Sequence, residues 1–237
     1  MDFNHFLTSY MPNPNVGSKV HFQNMIEQSI LAEKLGYKKV SIPEHHLINL
    51  LMMPSPLQMA VKIASLTKNI SISTSVAVLP LHDMRTYAGE VATADILTDG
   101  RLILGVARGA FPWEMKRLGT PIEHSKEKFT ESLEVLQKLL TDEEVSFNGK
   151  YYNFEALTIM PRPITKPIPI MIAAMDPNSI KNAALRGFHV QSTVLSGTRE
   201  LLMERVNAFR DGCEELGEKG KLLKLSMQRM MFVAKDE

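Results

Sequence analysis

Apolar and polar positions along the chain switch repeatedly between a period of two and a period near 3.6. "DFNHFLT" (2–8) reads as a strand. "KVHFQNMIEQSILAEKLG" (19–36) then sets Phe22, Met25, Ile26 and Ile30 at helical spacing, with Gly36 as a stop. "YKKVSIP" (37–43) predicts a second strand, and "SPLQMAVKIASLT" (55–67) a helix with Ser55 and Pro56 in the cap and first positions. "ISISTSVAVL" (70–79) is almost wholly β-branched or small, as a strand covered on both faces should be. A helix over 83–100, opened by Asp83 and closed by Gly100, leads to a fourth strand, "RLILGVA" (101–107). Phe129, Leu133, Leu136 and Leu140 mark one face of a helix over 125–141.

The rhythm breaks once, at "EVSFNGKYYNFEALTIMPRP" (144–163), where Asn-Gly between alternating runs predicts a hairpin excursion. It resumes with strand five at 168–174, a helix at 176–187 and strand six at 188–194. A helix over 198–217 follows, with Leu202, Val206, Phe209, Cys213 and Leu216 in register, then strand seven at 223–234. Strands alternating with helices predict βα units around a parallel sheet. Periodicity leaves open a doubly wound sheet and an eight-fold barrel. No Gly-x-Gly-x-x-Gly follows the first strand, and "GVARGA" (105–110) has the wrong spacing for one. There is no Walker A lysine motif either.

Composition narrows the partners more than the fold. A formal net charge of +1 lacks the basic excess of a nucleic-acid binder. The single cysteine, Cys213, fits a reducing compartment. The N-terminus carries no long apolar core of a secretory signal, and no run approaches the roughly 18 apolar residues of a membrane span. A cytoplasmic location is expected. No Cys/His set has metal-ligand spacing, so no metal is expected.

In a barrel the chemistry lies where strands end. Three such ends carry polar groups: "EHH" (44–46), "ARG" (107–109) and "AMDPNS" (174–179). The first offers a proton donor or acceptor and the second a fixed cation beside a glycine. In the third, Asp176 and Pro177 predict a helix N-terminus, whose free N–H groups favour an anion. Cation and helix start together suggest a phosphate seat. Adjacent residues on an extended segment face opposite ways, so His45 and His46 should have different partners.

With "FNHFL", "EHHL", "SVAVLPLHDMR" (75–85), "DILTDGRLILGVARG" (95–109) and "PIPIMIAAMDPNS" (167–179) in this order, the chain resembles the bacterial luciferase-like, flavin-dependent monooxygenases. The resemblance implies an α/β fold, a TIM (β/α)8 barrel with about seven strands in this chain, forming one domain over 1–237 that lacks its C-terminal strand and helices. It implies reduced FMN as cofactor, supplied by a separate flavin reductase, and O2 used to oxygenate a small organic substrate. His45 would handle protons near the reactive edge of the flavin. Arg108, Lys126, Ala174, Asn178 and Ser179 would hold the cofactor, and Ser75–Val76 would form a non-prolyl cis peptide beneath its ring. Phe6, Phe111 and Trp113 are candidates for an apolar substrate pocket. A homodimer is implied as well.

Two residues depart from the luciferase pattern: Ala107 replaces a reactive cysteine and Met175 an acidic residue of the flavin site. The first argues against luminescence and leaves oxygenation untouched. An F420-dependent oxidoreductase and a non-catalytic flavin-binding relative remain as alternatives. An unrelated barrel such as an aldolase would need a strand-end lysine or a metal cluster, which the sequence does not offer.

Overall fold

A computed structural model of the chain describes residues 1–195, 197–231 and 233–235. The chain forms two compact units, 1–169 and 170–237.

In the first unit, β1 (Asn4–Phe6), β2 (Lys39–Ile42), β3 (Ser71–Thr74) and β5 (Leu102–Ala107) run parallel in that order, and the short β4 (Ala77–Val78) extends β3's path along β5. Helices α1 (Ser18–Lys34), α2 (Pro56–Ala64) and α3 (Met84–Leu97) make the crossovers. All four residues of β2 are buried, so its sequence carries no inside–outside alternation. Asp83 caps α3 by accepting the Arg85 N–H, as its position predicts, whereas Ser55 stands at the start of α2 without a side-chain cap bond. The buried positions of α1 are Met25, Ser29 and Ala32, with Phe22, Ile26 and Ile30 only half-covered. Ser29 is tolerated inside because its hydroxyl donates to the Met25 carbonyl one turn back, at 2.8 Å.

Two expectations need correction here. The single strand expected over 70–79 is two strands, β3 and β4, with the cis Ser75–Val76 peptide between them. A helix that the apolar pattern does not reveal, α4 (Pro112–Arg117), follows β5, and α5 (Ile122–Thr141) begins three residues before the expected start at 125. The hairpin expected within 144–163 is present as β6 (Val145–Asn148) and β7 (Asn153–Leu157), antiparallel, with residues 149–152 as its loop. The Glu131 carboxylate of α5 sets that loop, accepting the N–H groups of Lys150, Tyr151 and Tyr152 at 3.0, 2.7 and 2.7 Å.

The end of the strands where β5 begins is fastened by Arg101. Its guanidinium donates to the Thr98 and Ala64 carbonyls at 2.9 Å each and to the Thr67 hydroxyl at 3.0 Å. Five donors in a rigid fork suit one arginine to several acceptors at once.

In the second unit, β8 (Ile170–Ala173), β9 (His189–Thr193) and β10 (Leu225–Gln228) are parallel, joined through α6 (Pro177–Leu185) and α7 (Arg199–Leu216). The seventh strand is thus shorter than the 223–234 expected, and Phe232 of that stretch lies outside the described residues. The fully buried residues of α7 are Arg205, Phe209 and Gly212; Phe209 belongs to the apolar stripe read in the sequence, whose other members, Leu202, Val206, Cys213 and Leu216, are half-buried beside them. Gly212 lets α7 close on α6, where a Cβ would stand 2.7 Å from both the Ala184 Cβ and the Lys181 carbonyl oxygen. Arg205 is buried because it donates to the Met175 and Thr193 carbonyls, at 2.7 Å each. Among the described residues, no helix is long and apolar enough to cross a membrane.

Candidate active site

Parallel register fixes which residues share the C-terminal rim of the first unit. Ile42 pairs with Thr74, and Val78 with Ala107. The Ser75 N–H donates to the Ile42 carbonyl and the Thr74 hydroxyl to the Gly105 carbonyl, both at 2.6 Å. A Cβ at Gly105 would overlap the Thr74 carbonyl, so only glycine admits this approach. The loop after β2, the Ser75–Val76 step and the end of β5 therefore come together, and with them His45 and Arg108. The cis peptide lies where the family resemblance places one.

The adjacent histidines do part company. His46 donates from Nε2 to Glu44 Oε1 at 2.6 Å, and His82 Nε2 lies 2.8 Å from the same oxygen. The Val78 N–H reaches Glu44 Oε2 at 3.0 Å. Glu44 is buried. Burial pushes its carboxyl up, but the hydrogen bonds from His46 and His82, with the Val78 N–H, outweigh this and bring it down to about 2. The same bond to Glu44 raises His46 above its ordinary value, against the opposing effect of its partial burial. His82 is stacked on Tyr87 with ring centroids 4.3 Å apart, and burial pushes the Tyr87 hydroxyl well up.

The three donor atoms of Glu44, His46 and His82 lie within 4.8 Å of one another, a cluster that spacing in the sequence does not announce. Separations of 2.6 and 2.8 Å are those of direct hydrogen bonds. A tetrahedral ion about 2.0–2.2 Å from each donor would hold them farther apart.

His45 takes another direction. Its backbone N–H is fixed to the Met53 carbonyl at 2.9 Å, and its ring meets the Phe111 ring edge-on at 5.2 Å. Its Nδ1 lies 3.7 Å from Oε2 of the buried Glu114, on α4. The other oxygen of Glu114 accepts the His46 backbone N–H.

Arg108 is exposed at the end of β5, and its guanidinium is not among the hydrogen bonds or ion pairs of the described residues. Phe111 and Trp113 are 39% and 41% exposed, with the Arg117 guanidinium 5.0 Å over the Trp113 ring. Phe6 is half-buried at the end of β1. Lys126 is exposed near the start of α5, in a groove it shares with Glu123, Glu127, Glu131 and Glu134. Ala174, Asn178 and Ser179 belong to the second unit. There Asp176 caps α6, accepting both the Ser179 N–H at 2.9 Å and its hydroxyl at 3.0 Å. Asp176 itself thus occupies part of the anion seat inferred from the sequence.

Glu114 and His82 are the site residues that sequence reasoning did not single out. His82 lies inside the quoted "SVAVLPLHDMR", and its signal was a histidine just after a strand end. Glu114 gives no comparable signal, because it sits on a six-residue helix that the apolar period does not mark.

The family model for luciferase-like monooxygenases matches residues 1–237. The chain belongs to the luciferase-like monooxygenase family. Its fold is accordingly the family's TIM-barrel type, as the parallel βα units indicate. This luciferase-like chain is 31% identical over 197 residues to the oxygenase component of the flavin-dependent trigonelline monooxygenase of Acinetobacter baylyi, covering 82% of this chain and 54% of that protein. It is 29% identical to an F420-dependent glucose-6-phosphate dehydrogenase of Amycolatopsis mediterranei, over 81% of this chain and 60% of the other. The crystal structure of monooxygenase RslO1 from Streptomyces bottropensis superposes with a TM-score of 0.86 at 26% identity, covering 92% of this chain and 67% of that one. The chain thus spans between about half and two thirds of the length of these relatives.

Proposed function

We propose that the chain carries the flavin and proton-handling site of a monooxygenase that uses reduced FMN and O2 to oxygenate a small organic substrate. The observation that supports this reading is that the loop bearing His45, the Ser75–Val76 step and the end of β5, which bears Arg108, meet at one strand-end rim. The residues present fit a flavin phosphate and ring. Arg108 is an exposed cation with no acid partner among the described residues. Asn178 and Ser179, with Ala174, are proposed as further cofactor contacts, and Lys126 as a second basic one.

Reduced FMN, when bound, supplies the electrons for activating oxygen. His45 would give and take protons at the rim. Phe6, Phe111 and Trp113 would exclude water and receive the apolar part of the substrate. The relative named as an oxygenase component supports a separate flavin reductase as partner. A cytoplasmic homodimer completes the reading.

FMN titration of the wild type against Arg108→Ala tests it. A guanidinium–phosphate bond contributes about 1.5–3 kcal/mol, so affinity should fall roughly 10- to 150-fold. Equal affinities would overturn the assignment of Arg108. A second reading, F420 in place of FMN, is favoured by the likeness to the F420-dependent dehydrogenase, and would turn the same rim to hydride transfer.

A further inference from the structure

We propose that Glu114 is the positioning residue of His45, receiving the ring's Nδ1–H and leaving Nε2 as the nitrogen that exchanges protons at the rim. What Nε2 does depends on the monooxygenase reading; the pairing stands on geometry alone. His45 Nδ1 is buried and has no hydrogen-bond partner at normal distance among the described residues. Such a group faces a desolvation cost that an adjacent acceptor removes. Glu114 Oε2, 3.7 Å away, is that acceptor, and a few tenths of an ångström to an ångström of ring movement closes the gap.

Glu114 cannot turn elsewhere, because its other oxygen holds the His46 backbone N–H. Glu44, the neighbouring buried acid, is not available to His45. His46 and His82 take one of its oxygens, and Val78 takes the other. The two adjacent imidazoles thus divide two buried carboxylates between them. Phe111 and Glu114, three residues apart at the start of one helix, hold His45 from two sides. A neutral imidazole carries one N–H, and the partner of Nδ1 decides which nitrogen bears it.

The test reads the His45 tautomer by long-range 15N–1H correlation of the whole chain without added flavin. Spectra are taken in mildly alkaline buffer, and the resonance is assigned by its loss in His45→Gln. Wild type should show the Nδ1–H form. In Glu114→Gln the side-chain oxygen still accepts the His46 N–H, so the amide NH2 must face Nδ1 and the ring should switch to the Nε2–H form. An unchanged tautomer in Glu114→Gln would mean that Glu114 only braces the backbone, and would overturn the proposal. Should that variant not fold, the wild-type spectrum decides alone: an Nε2–H ring there is equally fatal. A tautomer switch beside equal FMN affinities in the Arg108 comparison would leave the pairing standing and the flavin reading refuted.

Discussion

One carboxylate, Glu44, carries most of the electrostatics at the rim, and its consequences for pH can be worked out. Its folded value lies below the ordinary 4.5, so its stabilising contribution is complete above about 4.5 and is lost as pH falls towards about 2. His46 is raised above 6.5, so its share is complete below that value and fades as pH climbs through the higher folded one. The pair therefore stabilises most between about 4.5 and 6.5. Urea unfolding across pH should show this maximum in the wild type and a flatter profile in Glu44→Gln; identical profiles would remove Glu44 from the account. Leaving its partners without a charge should cost on the order of 3–5 kcal/mol, the usual result of halving a buried ion pair. At this scale the sequence was half legible. Two adjacent imidazoles announce divergent partners, but nothing local says which acid each will find. Glu114 lies 68 residues from the His46 amide it accepts, and only the fold joins them.

Among elements, those bounded by strong local chemistry were readable. Asp83 and Asp176 mark the starts of α3 and α6, and Thr198 caps α7 by accepting the Leu201 N–H at 3.3 Å. What escaped were features set by distant groups. The break between β3 and β4 is invisible in an unbroken β-branched run, and the buried side of α7 includes a glycine and an arginine that hydropathy counts as outsiders. The hairpin illustrates the same dependence. Its loop is held by Glu131 from another element, through three backbone N–H groups. Glu131→Ala should release them to water and destabilise by roughly 1–3 kcal/mol, with faster amide exchange at residues 150–152. Exchange at those amides no faster than in the wild type would show that the loop holds itself.

For the molecule as a whole, the alternation of strand and helix was enough to name an α/β chain with a parallel sheet, while the barrel followed from the family resemblance. It could not name the cofactor, since proteins named as flavin-dependent and as F420-dependent both resemble this chain. Binding to the folded state alone will separate them. At a concentration 100 times its dissociation constant, the true cofactor should add about 2.7 kcal/mol of stability. For a chain of this size that raises the melting temperature by roughly 5–10 °C. FMN should produce the shift and F420 should not; the reverse would select the second reading. Arg101 adds a last point. It clamps the ends of the strands remote from His45, so the sheet is tied at both ends, by a guanidinium at one and by the Glu44 carboxylate at the other. A change in a rim loop therefore leaves the Arg101 knot untouched, whereas a change at Arg101 loosens strand ends that no rim contact reaches.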